Sequence, residues 1–162
     1  YDCTLEELHC LIQAAMGWEG DHLYDFVAAG VRYTELSEEV NSVSSASGDA
    51  QFTYLSQVVL WNNRPFSLAY TYDFGDEWRH TITVEKTVPR NRRTYYPVCL
   101  DGSRACPPED CGGIYSYGSL LETLANPASD DDDERAEWLG EFDPDAFDAK
   151  VATQVMRRVM NR

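Results

Sequence analysis

The period of the hydrophobic positions changes along the chain, and each change marks an element. Leu5, Leu8, Leu11, Ile12 and Ala15 recur at helical spacing, which predicts an amphipathic helix of about three turns. Thr4 stands ahead of the stripe and Glu7 three residues later, a capping-box pattern, and Gly17 offers a left-handed stop. Residues 22–27 then read as a strand, continued by 31–33. Residues 35–50 are polar and serine-rich with no period, the mark of a flexible loop. Order resumes with a block at 52–55 and a short helix over 55–60, and Asn62 to Pro65 form a turn.

The strongest alternation follows. Phe66, Leu68, Tyr70 and Tyr72 point one way along a strand, and Trp78, His80, Ile82 and Val84 share one face of a second. Residues 73–77 between them contain aspartates and Gly75, so the two strands are expected to pair as an antiparallel hairpin. Gly75 is the expected carrier of positive φ in that turn, with Asp73 and Asp76 bonding their own backbone. Beyond it, 88–101 is rich in Arg and Pro and is expected to end in a strand over 95–99, followed by a loop over 102–113. Ser116 would cap a helix over 117–124, which Asn126-Pro127 stops. An acidic connector spans 130–134 and a short helical stretch 134–139. Asp143 and Pro144 would open the last helix, with Phe147, Val151, Val155 and Val159 as its buried stripe. Helix, strands, hairpin and helices in that order predict an α+β fold. Its antiparallel sheet has a central hairpin and is packed by the N-terminal helix and C-terminal helices.

Length and composition narrow the function classes. A chain of 162 residues most simply makes one domain, 1–162. Its net charge of −15 argues against a duplex-binding surface, which needs a basic face to neutralise phosphates. The basic residues gather only at Arg90, Arg92 and Arg93 and again at Arg157, Arg158 and Arg162. No unaided duplex DNA binding is expected. No apolar run is long enough to span a membrane, so no membrane partner is expected. The odd count of five cysteines fits reduced thiols and a cytoplasmic setting better than a disulfide framework.

Two dense motifs carry the candidate chemistry. The hairpin holds Asp73, Asp76, Trp78 and His80. The loop reads Cys106-Pro107-Pro108-Glu109-Asp110-Cys111-Gly112-Gly113. Cys99, Cys106 and Cys111 lack the two close pairs of a structural zinc site, yet His80 would complete a set of four donors. The competing reading packs the cysteines as small apolar groups, with Glu109 and Asp110 capping backbone amides. Were the loop to fold over the hairpin, Asp76, Glu109 and Asp110 would meet near a histidine and bind a divalent metal or share protons. The loop is expected to pack near Trp78 and His80. His9, Trp18 and His22 surround the end of the first helix, where they either pack it onto the sheet or line a pocket under Trp18. No phosphate loop, nucleophile elbow or HExxH pattern is present.

Together these motifs resemble the small bacterial and archaeal family called Ri-plasmid open-reading-frame-three-like, some of whose members carry a transposon-passenger, resolvase-like label. The resemblance runs over nearly the whole chain and includes Leu8-His9, Gly17-Trp18, His22-Leu23 and Phe26. It implies a fold and an association with plasmids and mobile elements, not an activity. It also implies a strand ahead of the first helix that this sequence does not include. A serine recombinase would need a nucleophilic serine ringed by arginines, and none is visible. The leading expectation is a non-enzymatic, cytoplasmic accessory or interaction domain without a required cofactor. Its groove, between hairpin and loop, would take a peptide or small ligand through Asp73, Asp76, Trp78, His80, Glu109 and Asp110. The alternative is a metal-dependent hydrolase or nuclease-like enzyme using Asp76, His80, Glu109 and Asp110, with zinc or another divalent metal.

Overall fold

A computed structural model describes residues 2–35, 47–59, 65–125, 140 and 142–161. The first helix, α1 (Leu5–Met16), starts where its sequence says. Thr4 Oγ1 accepts from the Glu7 amide, and the Glu7 carboxylate accepts from the Thr4 amide. Gly17 closes it with φ of 96°. Its buried face carries Leu5 and Ala14 but also His9 and Gln13.

The sheet holds β1 (Tyr24–Ala28), β2 (Val31–Thr34), β3 (Ser47–Asp49), β4 (Phe66–Tyr72) and β5 (Trp78–Val84) in the order β3-β2-β1-β4-β5. All neighbours are antiparallel except β2 and β3. The hairpin β4–β5 forms with the expected register, Phe66 opposite Val84 and Tyr72 opposite Trp78; β4 is an inner strand and β5 the edge. One face of the sheet presents Tyr24, Phe26, Leu68, Tyr70, Tyr72 and Trp78 to Leu5 and Trp18, and this aromatic layer is the core. Ring stacking fixes α1 on it: His9 lies flat on Tyr24, centroids 3.7 Å apart and planes 5° apart. The fold is α+β with a mixed, mostly antiparallel sheet.

Several local expectations are corrected. Strands β1 and β2 are not one continuous strand; the chain reverses at Ala29 and Gly30, both with positive φ, into a hairpin. Within the stretch expected to be a loop, Ser47–Asp49 pairs parallel to β2, which makes the sheet mixed; residues 36–46 lie outside the described residues. No strand forms over 95–99. That segment is spent on the last helix instead, with the Cys99 amide donating to Thr153 Oγ1 at 2.9 Å and Arg157 Nε donating to the Pro97 carbonyl at 3.0 Å.

Three helices follow the pattern only partly. Helix α2 is a single turn, Leu55–Val58. Helix α3 (Gly113–Ala125) starts earlier than Ser116, because the loop motif runs straight into it. Helix α4 (Ala149–Val159) is capped by Asp148, which accepts from the Lys150 and Val151 amides, while Asp143 and Pro144 belong to a preceding turn. Its stripe is rotated from expectation: Ala152, Thr153 and Met156 are buried, while Val151 is 55% and Phe147 37% exposed. Helix α4 packs on α1. The expected acidic connector and helical stretch over 130–139, and most of the turn at 62–65, lie outside the described residues.

Candidate functional site

The site begins with a turn. Asp73 leaves β4 with φ of 55° and wraps the hairpin around its own side chain, Oδ1 accepting from the Gly75 amide at 2.8 Å and the Asp76 amide at 3.3 Å. Positive φ falls on Asp73 and Glu77, not on Gly75; the aspartate bonds its own turn and tolerates the left-handed region. The Asp73 side chain is only 10% exposed, and its second oxygen, Oδ2, is left for other partners.

The loop motif closes onto this turn, as its composition suggested. Gly112 N donates to Asp76 Oδ2 at 3.0 Å. Gly113, with φ of 75°, passes so close that a Cβ there would sit 2.6 Å from the Asp76 carbonyl oxygen. On the other flank Trp18 Nε1 donates to the Pro107 carbonyl at 2.9 Å, and the Trp18 ring meets Tyr72, Trp78 and His80. Loop and hairpin therefore meet closely at Gly112 and Gly113. The open space lies on the far side of the loop, between it, the end of α1 and α4.

Closure brings carboxylates from two motifs to one imidazole. His22 Nε2 lies 3.1 Å from Asp110 Oδ1, 3.9 Å from Asp73 Oδ2 and 3.9 Å from Glu109 Oε2. Glu109 Oε1 accepts from the Tyr72 hydroxyl and the Glu19 amide, both at 3.0 Å. Its Oε2 is buried, and among the described residues no hydrogen-bond donor reaches it. Burial and the neighbouring Glu109 push the Tyr72 hydroxyl pKa up, so it stays a donor.

His22, Asp73 and Asp110 place one donor atom each within 4.8 Å of one another, and among the described residues they form the group suited to holding a metal ion. Donors held about 2.0–2.2 Å from an ion stand roughly 3.0–3.6 Å apart; the His22–Asp110 pair at 3.1 Å already has that spacing, and the wider pairs would close by up to about an ångström to hold an ion. Carboxylates with one imidazole suit Mn²⁺, Fe²⁺ or Zn²⁺.

The candidates read from the sequence divide accordingly. Asp73, Glu109 and Asp110 converge. Asp76 is taken up in holding Gly112, and Trp78 packs in the core. His80 sits half-buried beneath Trp18, its pKa lowered chiefly by burial. The expected four-donor set of His80, Cys99, Cys106 and Cys111 does not assemble. Cys99 is tied to α4, whereas Cys106 and Cys111 pack against the core. Burial, then Glu109 and Cys111, pushes the Cys106 thiol up to about 12, and burial followed by Asp76 raises that of Cys111. His22, expected either to pack the first helix or to line a pocket under Trp18, instead supplies the imidazole of the corner. Nothing local marks it; the pairing of β1 with β4, which sets Tyr24 opposite Tyr72, carries it beside Asp73.

Fold and site together define an α+β protein that locks two loop motifs around a histidine–carboxylate corner. The chain belongs to the plasmid pRiA4b ORF-3-like protein family, whose sequence model matches residues 1–151. It is 39% identical over 152 residues to the uncharacterized protein y4hQ of Sinorhizobium fredii, covering 94% of this chain and 76% of the relative. The crystal structure of MM3350, a protein of unknown function from Methanosarcina mazei Go1, is similar with a TM-score of 0.78 at 34% identity. That match covers 92% of this chain and 83% of the other. Neither name states an activity. Among the described residues no helix is long and apolar enough to cross a membrane.

Proposed function

We propose that this protein is a cation-dependent binding domain. In this reading His22, Asp73 and Asp110 take one divalent cation, with Glu109 Oε2, 3.9 Å from His22 Nε2, drawn in beside them; the ion fastens the loop over 106–113 to the hairpin and forms one rim of the adjoining cleft. The observation that carries it is Glu109 Oε2, buried, facing His22 and without a donor among the described residues. A carboxylate oxygen removed from water is costly unless paired, and three carboxylates share one imidazole here. A divalent ion supplies the missing charge and the missing partner at once. All five cysteines are free thiols, which suits the cytoplasmic setting of an accessory domain. The hydrolase alternative is less favoured, because Asp76 accepts from the Gly112 amide and the His80 ring packs against Trp18, both outside the His22 group.

The test is calorimetric titration of Mn²⁺ and Zn²⁺ into chelator-stripped protein, with metal analysis after dialysis. One ion per chain is expected, with a rise in Tm, and Asp110→Asn should bind at least tenfold more weakly. No stoichiometric uptake, or undiminished affinity in that variant, would overturn the reading.

A further inference from the structure

We propose that the cleft between α1 and α4 docks a basic, apolar peptide segment of a partner protein. This rests on the reading as a binding domain, though not on the cation. The cleft encloses about 1370 Å³, more than the roughly 300–1,000 Å³ of small-molecule pockets. Its walls are apolar: Met16 and Trp18 on one side, Phe147, Val151 and Val155 on the other. Phe147 and Val151 are the exposed members of the stripe that the sequence marked for burial. Because Ala152, Thr153 and Met156 take the inward positions of α4, Val151 and Val155 are left to line the cleft. An amphipathic helix turning apolar side chains into an open groove is the surface that helix-in-groove recognition uses.

Charge selects the partner. Glu19, Asp21, Asp101, Glu109, Asp110 and Asp148 line the cleft, against the single guanidinium of Arg104 among the described lining residues. Arg104 is itself within 3.8 Å of Asp145. A cation at the His22 corner would engage Glu109 and Asp110 and leave the other four carboxylates. The net charge of −15 extends the same field outward. Acidic ligands are repelled, whereas lysines or arginines flanking apolar side chains meet both features.

Fluorescence anisotropy tests this with a labelled amphipathic peptide of leucine and lysine, about 14 residues or ~21 Å as a helix, beside a leucine–glutamate counterpart. The basic peptide is expected to bind, more weakly as salt rises, and the acidic one not to bind. Val151→Glu is the decisive variant. Its site is half-exposed near the start of α4, where glutamate suits the helix, and a thermal melt verifies folding. It adds negative charge, so attraction by charge alone would tighten binding, whereas docking in the cleft predicts at least tenfold weakening. Asp21→Asn should weaken binding, and Glu122→Gln on α3 should not. No binding, equal binding of the two peptides, or unchanged or tighter binding by Val151→Glu would overturn the proposal. Cation uptake without peptide binding defeats this inference alone; peptide binding without cation uptake defeats only the cation reading.

Discussion

Glu109 is where structure and proposed function separate, because its two oxygens have different jobs. Oε1 accepts from the Tyr72 hydroxyl and the Glu19 amide, and Oε2 faces His22. Glu109→Ala removes both acceptors and leaves the Tyr72 hydroxyl short of a partner in a fully buried residue. The expected loss is about 1–3 kcal/mol, the cost of leaving such groups unsatisfied. For a chain of this size each kcal/mol lowers Tm by about 2–4 °C. Glu109→Gln keeps an amide oxygen for the Oε1 bonds and replaces the unpaired anionic oxygen with an NH₂. Its stability without metal should match wild type within about 0.5 kcal/mol, while divalent-cation affinity falls at least tenfold, ~1.4 kcal/mol. Urea melts and calorimetric titrations of both variants read the two effects. Equal cation affinity in Glu109→Gln and wild type would refute the role of Oε2. Wild-type stability in Glu109→Ala would refute the argument that this carboxylate fastens the loop.

Two further perturbations probe the frame. Gly113→Ala forces a Cβ to 2.6 Å from the Asp76 carbonyl at φ of 75°; steric overlap added to the left-handed penalty should cost about 2–4 kcal/mol, and a variant melting like wild type would contradict the loop–hairpin seal. Burial lowers the His9 pKa from 6.5 to about 4, so the folded state resists a proton that the unfolded chain accepts. The contribution is complete above pH 6.5 and is lost as pH falls toward 4, amounting to roughly 3 kcal/mol. Urea midpoints at pH 7 and 4.5 should therefore differ more for wild type than for His9→Gln, and an equal difference would show that His9 is not held neutral.

Local rules are strongest where an element is specified by its own residues. The capping box at Thr4 and Glu7, the stop at Gly17 and the hairpin β4–β5 were legible because each rests on contacts within a few positions or on an uninterrupted period of two. The convergence of Asp73, Glu109 and Asp110 was half-legible: the glycines and prolines of the loop announced close passage over the turn, but not which carboxylates would be spent on backbone. Asp76 and Asp110 look alike in sequence, yet Asp76 Oδ2 meets the Gly112 amide and Asp110 Oδ1 meets His22.

The sequence by itself determined the α+β class, the first helix, the hairpin and the two motifs that come together, since periodicity, caps and turn residues act over short distances. The tertiary structure alone decided the rest. The parallel pairing of Ser47–Asp49 depends on a neighbouring strand, not on β-propensity. The phase of α4 depends on what α1 and residues 97–99 leave room for, so Val151 and Val155 turn to the cleft. His22 joins the corner through the β1–β4 register, a long-range pairing that no spacing along the chain encodes.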